Sequence, residues 1–174
     1  MTAVVPELTL TEEYRVRSSE ADAYGDLSLP SLCLYLQEVA WNHARTIDWG
    51  LNAEQTWMLA RVAIRIEALP AWDEVVRVRT WARGIERSFA MRDFAVETAD
   101  GWPLAAASSA WLVIDLSTRR PVRHHVFPDH VPVLPDRLAL GRSPRKLPRL
   151  ESPEVSAPLE VRYGDLDVNG HVNY

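Results

Sequence analysis

Residues 29–47 read LPSLCLYLQEVAWNHARTI, and this stretch decides the fold. Residues predicted to face the core recur along it at helical spacing: Leu32, Leu36, Val39, Ala40, His43, Ala44 and Ile47. Ser28 is suited to cap the N-terminus, Pro30 is tolerated in the first turn, and Gly50 is a natural stop. Further apolar side chains lie on the other faces, at Leu29, Cys33, Leu34 and Trp41. We therefore predict one long helix that is largely buried.

Alternation of apolar and polar residues predicts strands on both sides of this helix. One strand precedes it and four follow, over 13–18, 61–67, 76–81, 92–97 and 105–116. In the fourth of these, Arg92 is expected on the polar face. Turns are predicted at 70–73, 84–88 and 100–103, where glycine, proline and aspartate cluster. Because each strand has one apolar face, the pattern indicates an antiparallel sheet with one face toward solvent, curled around the helix.

Length and composition limit the class of protein. The chain has 174 residues, enough for one full domain and the start of another. It is 47% hydrophobic and 25% charged, as is usual for a soluble globular protein. No apolar run approaches the length of a membrane span, and the acidic N-terminal region lacks the start of a signal peptide. The single cysteine, Cys33, excludes an intrachain disulfide and is expected in the core. We expect a cytoplasmic protein without membrane insertion.

The charge is unevenly distributed. The net charge is −5, but residues 117–150 carry eight bases and two acids, so this window is +6 and the remainder −11. A basic surface on an acidic protein suits an acidic partner or a phosphorylated ligand. The alternative is a solvated linker whose arginines bind nothing specific. Low overall charge and the lack of interleaved aromatic and basic residues argue against nucleic-acid binding.

Proline density divides the chain. Eight prolines between 119 and 158 allow no long helix or strand, and we interpret this region as a linker draped over the first domain. We place the first domain at 1–123, the linker at 124–157 and the start of a second domain at 158–174. Residues 16–22 (VRSSEAD) align faintly with 161–167 (VRYGDLD), which favours a duplicated domain. The linker histidines lack a ligand spacing, so no metal site is expected: His124, His125 and His130.

A D-x-N-x-H cluster, Asp167, Asn169 and His171, carries the candidate chemistry. It follows a predicted short strand over 159–163 and suits a loop that feeds a helix N-terminus, where backbone N–H groups attract an oxyanion. There Asn169 can hold a carbonyl or a water, His171 can relay a proton, and Gly170 lets the backbone approach closely. Asp167 is expected to fix the other groups. The alternative is a helix cap beside a histidine without a catalytic role.

Taken together, these motifs resemble those of the bacterial and plant acyl-acyl-carrier-protein (acyl-ACP) thioesterases, which are tandem hotdog domains. The resemblance is carried by LQEVAWNHA (36–44), PAWDEVV (70–76), RDF (92–94), ASSAWLVID (107–115) and TRRP (118–121). It implies an α+β hotdog fold, an antiparallel sheet wrapped around a long central helix, with one complete copy and the start of a second. It also assigns the family's catalytic D-x-N-x-H to residues 167, 169 and 171.

The resemblance further implies the activity and its partners. The enzyme would release fatty acids from acyl-ACP in fatty acid biosynthesis, without a cofactor and with the phosphopantetheine-linked carrier as its partner. The first domain would house the acyl chain, and Trp41 is the best placed of seven tryptophans to line the pocket. The carrier would dock on Arg119, Arg120 and Arg123. Because hotdog sheets commonly pair, a homodimer is a further candidate assembly.

Two other functions stay open, and both concern the same fold. VRYGDLD followed by GHVN also resembles single-domain acyl-CoA thioesterases. If the chain ends at Tyr174, the first hotdog would instead be a non-catalytic acyl-binding module. In the family a further acid, often beside a cysteine, comes from a later strand, and this sequence has no such position. We expect an incomplete chain that lacks about 90 residues of the second hotdog and is inactive by itself.

Overall fold

The computed structural model of the protein describes residues 8–49, 51–122, 130–152, 154–166 and 172. The elements follow the predicted order of strand, helix and four strands. Their bounds are β1 Leu10–Arg15, α1 Leu29–Thr46, β2 Gln55–Ile66, β3 Val75–Glu86, β4 Phe89–Thr98, β5 Pro103–Asp115 and β6 Arg120–Pro121. A single 3-10 turn follows at Tyr163–Asp165.

The strands form one antiparallel sheet in the order β1-β3-β4-β5-β2, with the short β6 paired to β5. β2 begins at Gln55, earlier than predicted, because it pairs along the length of β5 from Gln55–Asp115 to Ile66–Ala105. The predicted turn at 84–88 is wrong in extent. β3 continues through a bulge between Ala82 and Gly84, where Gly84 takes a φ of +109° that favours glycine.

Helix α1 begins as the sequence predicts and ends slightly earlier. The Ser28 hydroxyl accepts the Ser31 N–H at 3.3 Å, which satisfies one of the free donors of the first turn. The last helical residue is Thr46, and Ile47 is the C-cap. Asp48 takes the left-handed conformation, with φ of +51°, so the helix stops there. The predicted stop, Gly50, lies outside the described residues.

One face of α1 packs on the sheet. Leu32, Leu36 and Val39 are buried in a core cluster with residues of β3, β4 and β5: Val76, Val78, Phe94, Val96, Ala105 and Ala107. Cys33 is buried, as predicted. The prediction that the helix is largely buried is correct only for the side that faces the sheet, because Leu34 is 47% and Trp41 57% exposed. The sheet curves around one side of the helix, and these residues point away from it.

The segment 131–143, which we call the strap, lies against the free part of β3. β1 pairs with β3 only from Val75 to Thr80. Beyond that point the Ala82 carbonyl accepts the Leu134 N–H at 2.9 Å, and Val131 packs with Ile47 and Ala82. The strap therefore covers an edge that would otherwise be open to another strand. The domain limits at 123/124 and 157/158 stay predictions.

The predicted strand over 159–163 is wrong. In the described part of the chain these residues have no strand partner and are exposed, and the regular structure there is limited to the 3-10 turn at Tyr163–Asp165. A strand is stabilised by pairing, so alternation without a neighbour is insufficient. None of the described helices combines the length and hydrophobicity needed to cross a bilayer.

Candidate functional site

The predicted catalytic residues Asp167, Asn169 and His171, together with Gly170, lie outside the described residues. The structure does describe what flanks them. On the N-terminal side the Arg162 N–H donates to the Asp165 carboxylate at 2.7 Å, and Leu166 forms an antiparallel bridge with Val172. The catalytic roles of the D-x-N-x-H residues stay predictions.

A narrow apolar cleft lies between α1 and the inner face of the sheet. Eight residues line it: Cys33, Leu36, Gln37, Leu59, Val62, Phe94, Ser109 and Trp111. Its volume is about 10 Å³, roughly the space of one water molecule. An acyl chain could enter only if the surrounding side chains moved apart. The lining is otherwise suited to such a chain, because six of the eight side chains are apolar.

Trp41 does not line this cleft. It lies on the outer side of α1, and its assignment to substrate binding stays a prediction. Trp111 lines the cleft instead, and its indole N–H donates to the Ser109 hydroxyl at 2.8 Å. Neither Trp111 nor Phe94 is among the site residues predicted from the sequence. The sequence signal that could have identified them is the alternation along β4 and β5, because it determines which residues face the helix.

A buried cation lies on the same inner face of the sheet. Arg92 is 4% exposed, and its Nη1 donates to Thr80 Oγ1 at 3.1 Å and lies 2.9 Å from His43 Nδ1. Because a guanidinium cannot accept a hydrogen bond, His43 Nδ1 must accept and the ring proton sits on Nε2. Desolvation lowers the pKa of Arg92 to about 9, so it stays charged at neutral pH.

The expected position of Arg92 on the polar face of its strand is wrong. Arg92 has the same parity as Phe94 and Val96, and the structure places all three in the interior. Because alternate residues of a strand share a face, the sequence itself contains the signal that Arg92 faces the interior. His43 is predicted to face the core, and it is completely buried.

The basic residues proposed for carrier docking are exposed where the structure describes them. Arg119 lies in the turn after β5 and Arg120 begins β6. The turn is held by Asp115, whose carboxylate accepts the Ser117 hydroxyl and the Thr118 N–H, each at 2.7 Å. These hydrogen bonds lower the pKa of Asp115 to about 2. Arg123 lies outside the described residues, as do His124 and His125. No cluster of three potential metal ligands occurs among the residues described.

Comparison with known proteins gives the family. Residues 7–131 match the model of the acyl-ACP thioesterase N-terminal domain. The chain is 31% identical to oleoyl-acyl carrier protein thioesterase 1, chloroplastic, of Arabidopsis thaliana, over 95% of this chain and 52% of that protein. The chain thus spans about half the length of this plant relative.

Solved structures agree with the sequence match. An acyl-ACP thioesterase from Bacteroides thetaiotaomicron superposes with a TM-score of 0.82 at 30% identity, covering 95% of this chain and 68% of that one. The 12:0-ACP thioesterase from Umbellularia californica gives 0.74 at 25% identity, covering 95% and 66%. The expected hotdog fold is thereby confirmed. With its family model matched over most of its length, the chain belongs to the acyl-ACP thioesterase family.

Proposed function

We propose that this protein hydrolyses the thioester of fatty acyl-ACP and thereby releases fatty acids in fatty acid biosynthesis. The observation that carries the proposal is the match of residues 7–131 to the family's N-terminal domain. The apolar cleft behind α1 supports it, because a fatty acyl chain requires an apolar site that excludes water. The activity for which the Arabidopsis relative is named agrees with it.

The reaction adds water across the acyl C–S bond. Water attacks the carbonyl carbon, the C–S bond breaks, and the products are a carboxylic acid and the thiol of the carrier's phosphopantetheine. In the proposal Asn169 positions the carbonyl or the water and His171 relays a proton, while Gly170 and neighbouring backbone N–H groups stabilise the oxyanion. Asp167 orients these groups. No cofactor is needed for these steps.

The test uses the product of the native gene. Its intact mass shows whether a second hotdog follows Tyr174. Thiol release is then measured from acyl-ACP and from acyl-CoA with the same acyl group. Faster release from acyl-ACP supports the proposal, whereas equal or faster release from acyl-CoA favours the acyl-CoA thioesterase. Fatty-acid binding without any thiol release would favour an acyl-binding module.

The basic residues after β5 are proposed to dock the acidic carrier. Changing Arg119, Arg120 and Arg123 to glutamate is expected to raise KM for acyl-ACP about three- to tenfold with kcat unchanged, because surface charges act on encounter and binding. Added salt should raise the wild-type KM in the same direction. Steady-state kinetics measure both effects.

Arg17→Glu is the control for this prediction. Arg17 has an 80% exposed side chain and lies beyond the C-terminal end of β1, at the opposite end of the sheet from Arg119. Its reversal changes the net charge but should leave KM unchanged. If the triple variant keeps the wild-type KM, these arginines are not the docking surface.

Two further features are proposals with direct tests. We propose a cytoplasmic location, which fractionation of the native host would check. A homodimer is proposed from the pairing that is common among hotdog sheets, and sedimentation of the gene product would measure it.

A further inference from the structure

Three buried residues form a row across the outer face of the sheet, on the side opposite α1. Trp81 on β3 pairs with Asp93 on β4, which pairs with Ser108 on β5. They are at most 2% exposed. The outer face of such a sheet usually meets water, and an uncovered carboxylate there would be solvated. In this protein the strap covers the row.

Asp93 joins the two strands to the strap. Its Oδ1 accepts the Ser108 hydroxyl and its Oδ2 accepts the Ala139 N–H, each at 2.7 Å. Arg83 Nη1 lies 3.6 Å from Oδ1 and provides the opposite charge. Burial raises the pKa of the Asp93 carboxyl, while these hydrogen bonds and Arg83 act in the other direction. Each carboxylate oxygen thus has a separate partner, one in the sheet and one in the strap.

The strap is attached on both sides of Ala139. Before it, the Trp81 indole N–H donates to the Arg137 carbonyl at 2.8 Å, and the Arg137 guanidinium lies 4.4 Å from the indole ring. After it, the Ser143 hydroxyl donates to Glu86 at 2.7 Å and accepts from Arg83 Nη2 at 2.9 Å. Asp93 lies between these attachments and contacts the strap through a buried charged group.

The row lies directly behind the apolar cleft. Phe94 follows Asp93 on β4 and Ser109 follows Ser108 on β5, and both line the cleft on the inner face. Neighbouring residues of a strand point to opposite faces, so a backbone shift at Asp93 or Ser108 also moves Phe94 or Ser109. The strap and the cleft therefore share the same two strands.

We propose that Asp93 is a positioning residue that couples the strap to the acyl cleft and so helps to set which acyl chains the cleft admits. The proposal rests on the proposed function only in assigning the acyl chain to this cleft. Asp93 does not touch the substrate. It acts through the backbone of β4 and β5.

The test compares Asp93→Asn with the wild-type gene product in two measurements. Asparagine keeps the shape of the side chain but removes its charge. Its Oδ1 can still accept the Ala139 N–H if its NH₂ group donates to Ser108 Oγ, so the variant removes the charge from the strap hydrogen bond and the attraction to Arg83. Amide exchange of the strap, read by mass spectrometry, should accelerate about tenfold, the scale on which a hydrogen bond to a charged group weakens when that group becomes neutral. The affinities for saturated fatty acids of increasing length are measured by displacement of a fluorescent fatty acid. In Asp93→Asn the ratio of the affinity for short chains to the affinity for long chains should change by about tenfold.

A second variant changes only the strap. Ala139→Pro deletes the N–H that Asp93 accepts and leaves the sheet residues intact, so it should change the length profile in the same direction. Asp73→Asn is the matched control. The Asp73 side chain is 74% exposed and pairs with the exposed Arg15, so this variant should change neither measurement.

Each outcome decides the inference. Unchanged strap exchange in Asp93→Asn overturns it, and so does faster exchange with an unchanged length profile, because the strap would then be structural only. A wild-type protein that binds fatty acids but does not hydrolyse acyl-ACP refutes the proposed function, and the two measurements still decide the coupling. A wild-type protein that binds no fatty acid overturns the inference itself.

Discussion

His171→Ala is expected to lower kcat for acyl-ACP about 10²- to 10⁴-fold in the product of the native gene, the range for loss of a positioned acid–base group. KM should change little, because in the proposed mechanism the imidazole acts on the attacking water and not on the acyl chain or the carrier. Thiol release at saturating acyl-ACP measures the effect. Asp167→Asn and Asn169→Ala should also lower kcat. Their effects should combine less than additively with that of His171→Ala, because the three residues are proposed to act as a unit.

His130→Ala is the matched control, since His130 is an exposed histidine of the predicted linker. It should keep the wild-type kcat. A His171→Ala variant within a few-fold of wild type would contradict the catalytic assignment and leave the motif as a helix cap. In that case fatty-acid binding by the first domain would be the function to examine.

Phe94→Ala is expected to lower the free energy of unfolding by about 3–5 kcal/mol. Phe94 is 2% exposed and belongs to the cluster in which α1 packs on the sheet. Truncation removes the buried ring and leaves a cavity beside the cleft, which its neighbours can fill only in part. Urea unfolding followed by tryptophan fluorescence measures the loss.

Phe89→Ala is the control, because it makes the same substitution in the same strand. Phe89 is the first residue of β4, is only partly buried, and stacks under the Arg61 guanidinium at 4.5 Å. Its loss should cost roughly 1 kcal/mol. Equal losses for both variants would mean that Phe94 is not at the centre of the core.

Much of the fold follows from local patterns. The apolar spacing of 29–47 predicts α1 almost to the residue, because Ser28 caps it and the periodicity persists to its end. The strands are predicted in the right order and their ends are less accurate, as β2 shows by starting at Gln55. Strand ends depend on the neighbouring strand, and β2 extends as far as β5 allows.

For the candidate site, one part is visible in the sequence and another part is not. The D-x-N-x-H motif is visible in the sequence because its residue types and spacing are local, and its roles stay predictions. The cleft could not be predicted in the same way. Trp111 lines the cleft because it faces α1 from β5. Trp41, the residue expected to line the acyl pocket, lies on the uncovered outer side of α1, and its role stays a prediction.

The sequence by itself determined the helix, the five long strands and their order, and it contains the candidate D-x-N-x-H motif, since periodicity, caps and short motifs are set by residues a few positions apart. Only the tertiary structure decided that polar groups on the outer face of the sheet are buried. Asp93 and Ala139 are 46 positions apart, yet the strap brings the Ala139 N–H to the carboxylate and removes both from water. Burial of this kind depends on contacts between remote segments, and the local pattern at either position contains no information about the other.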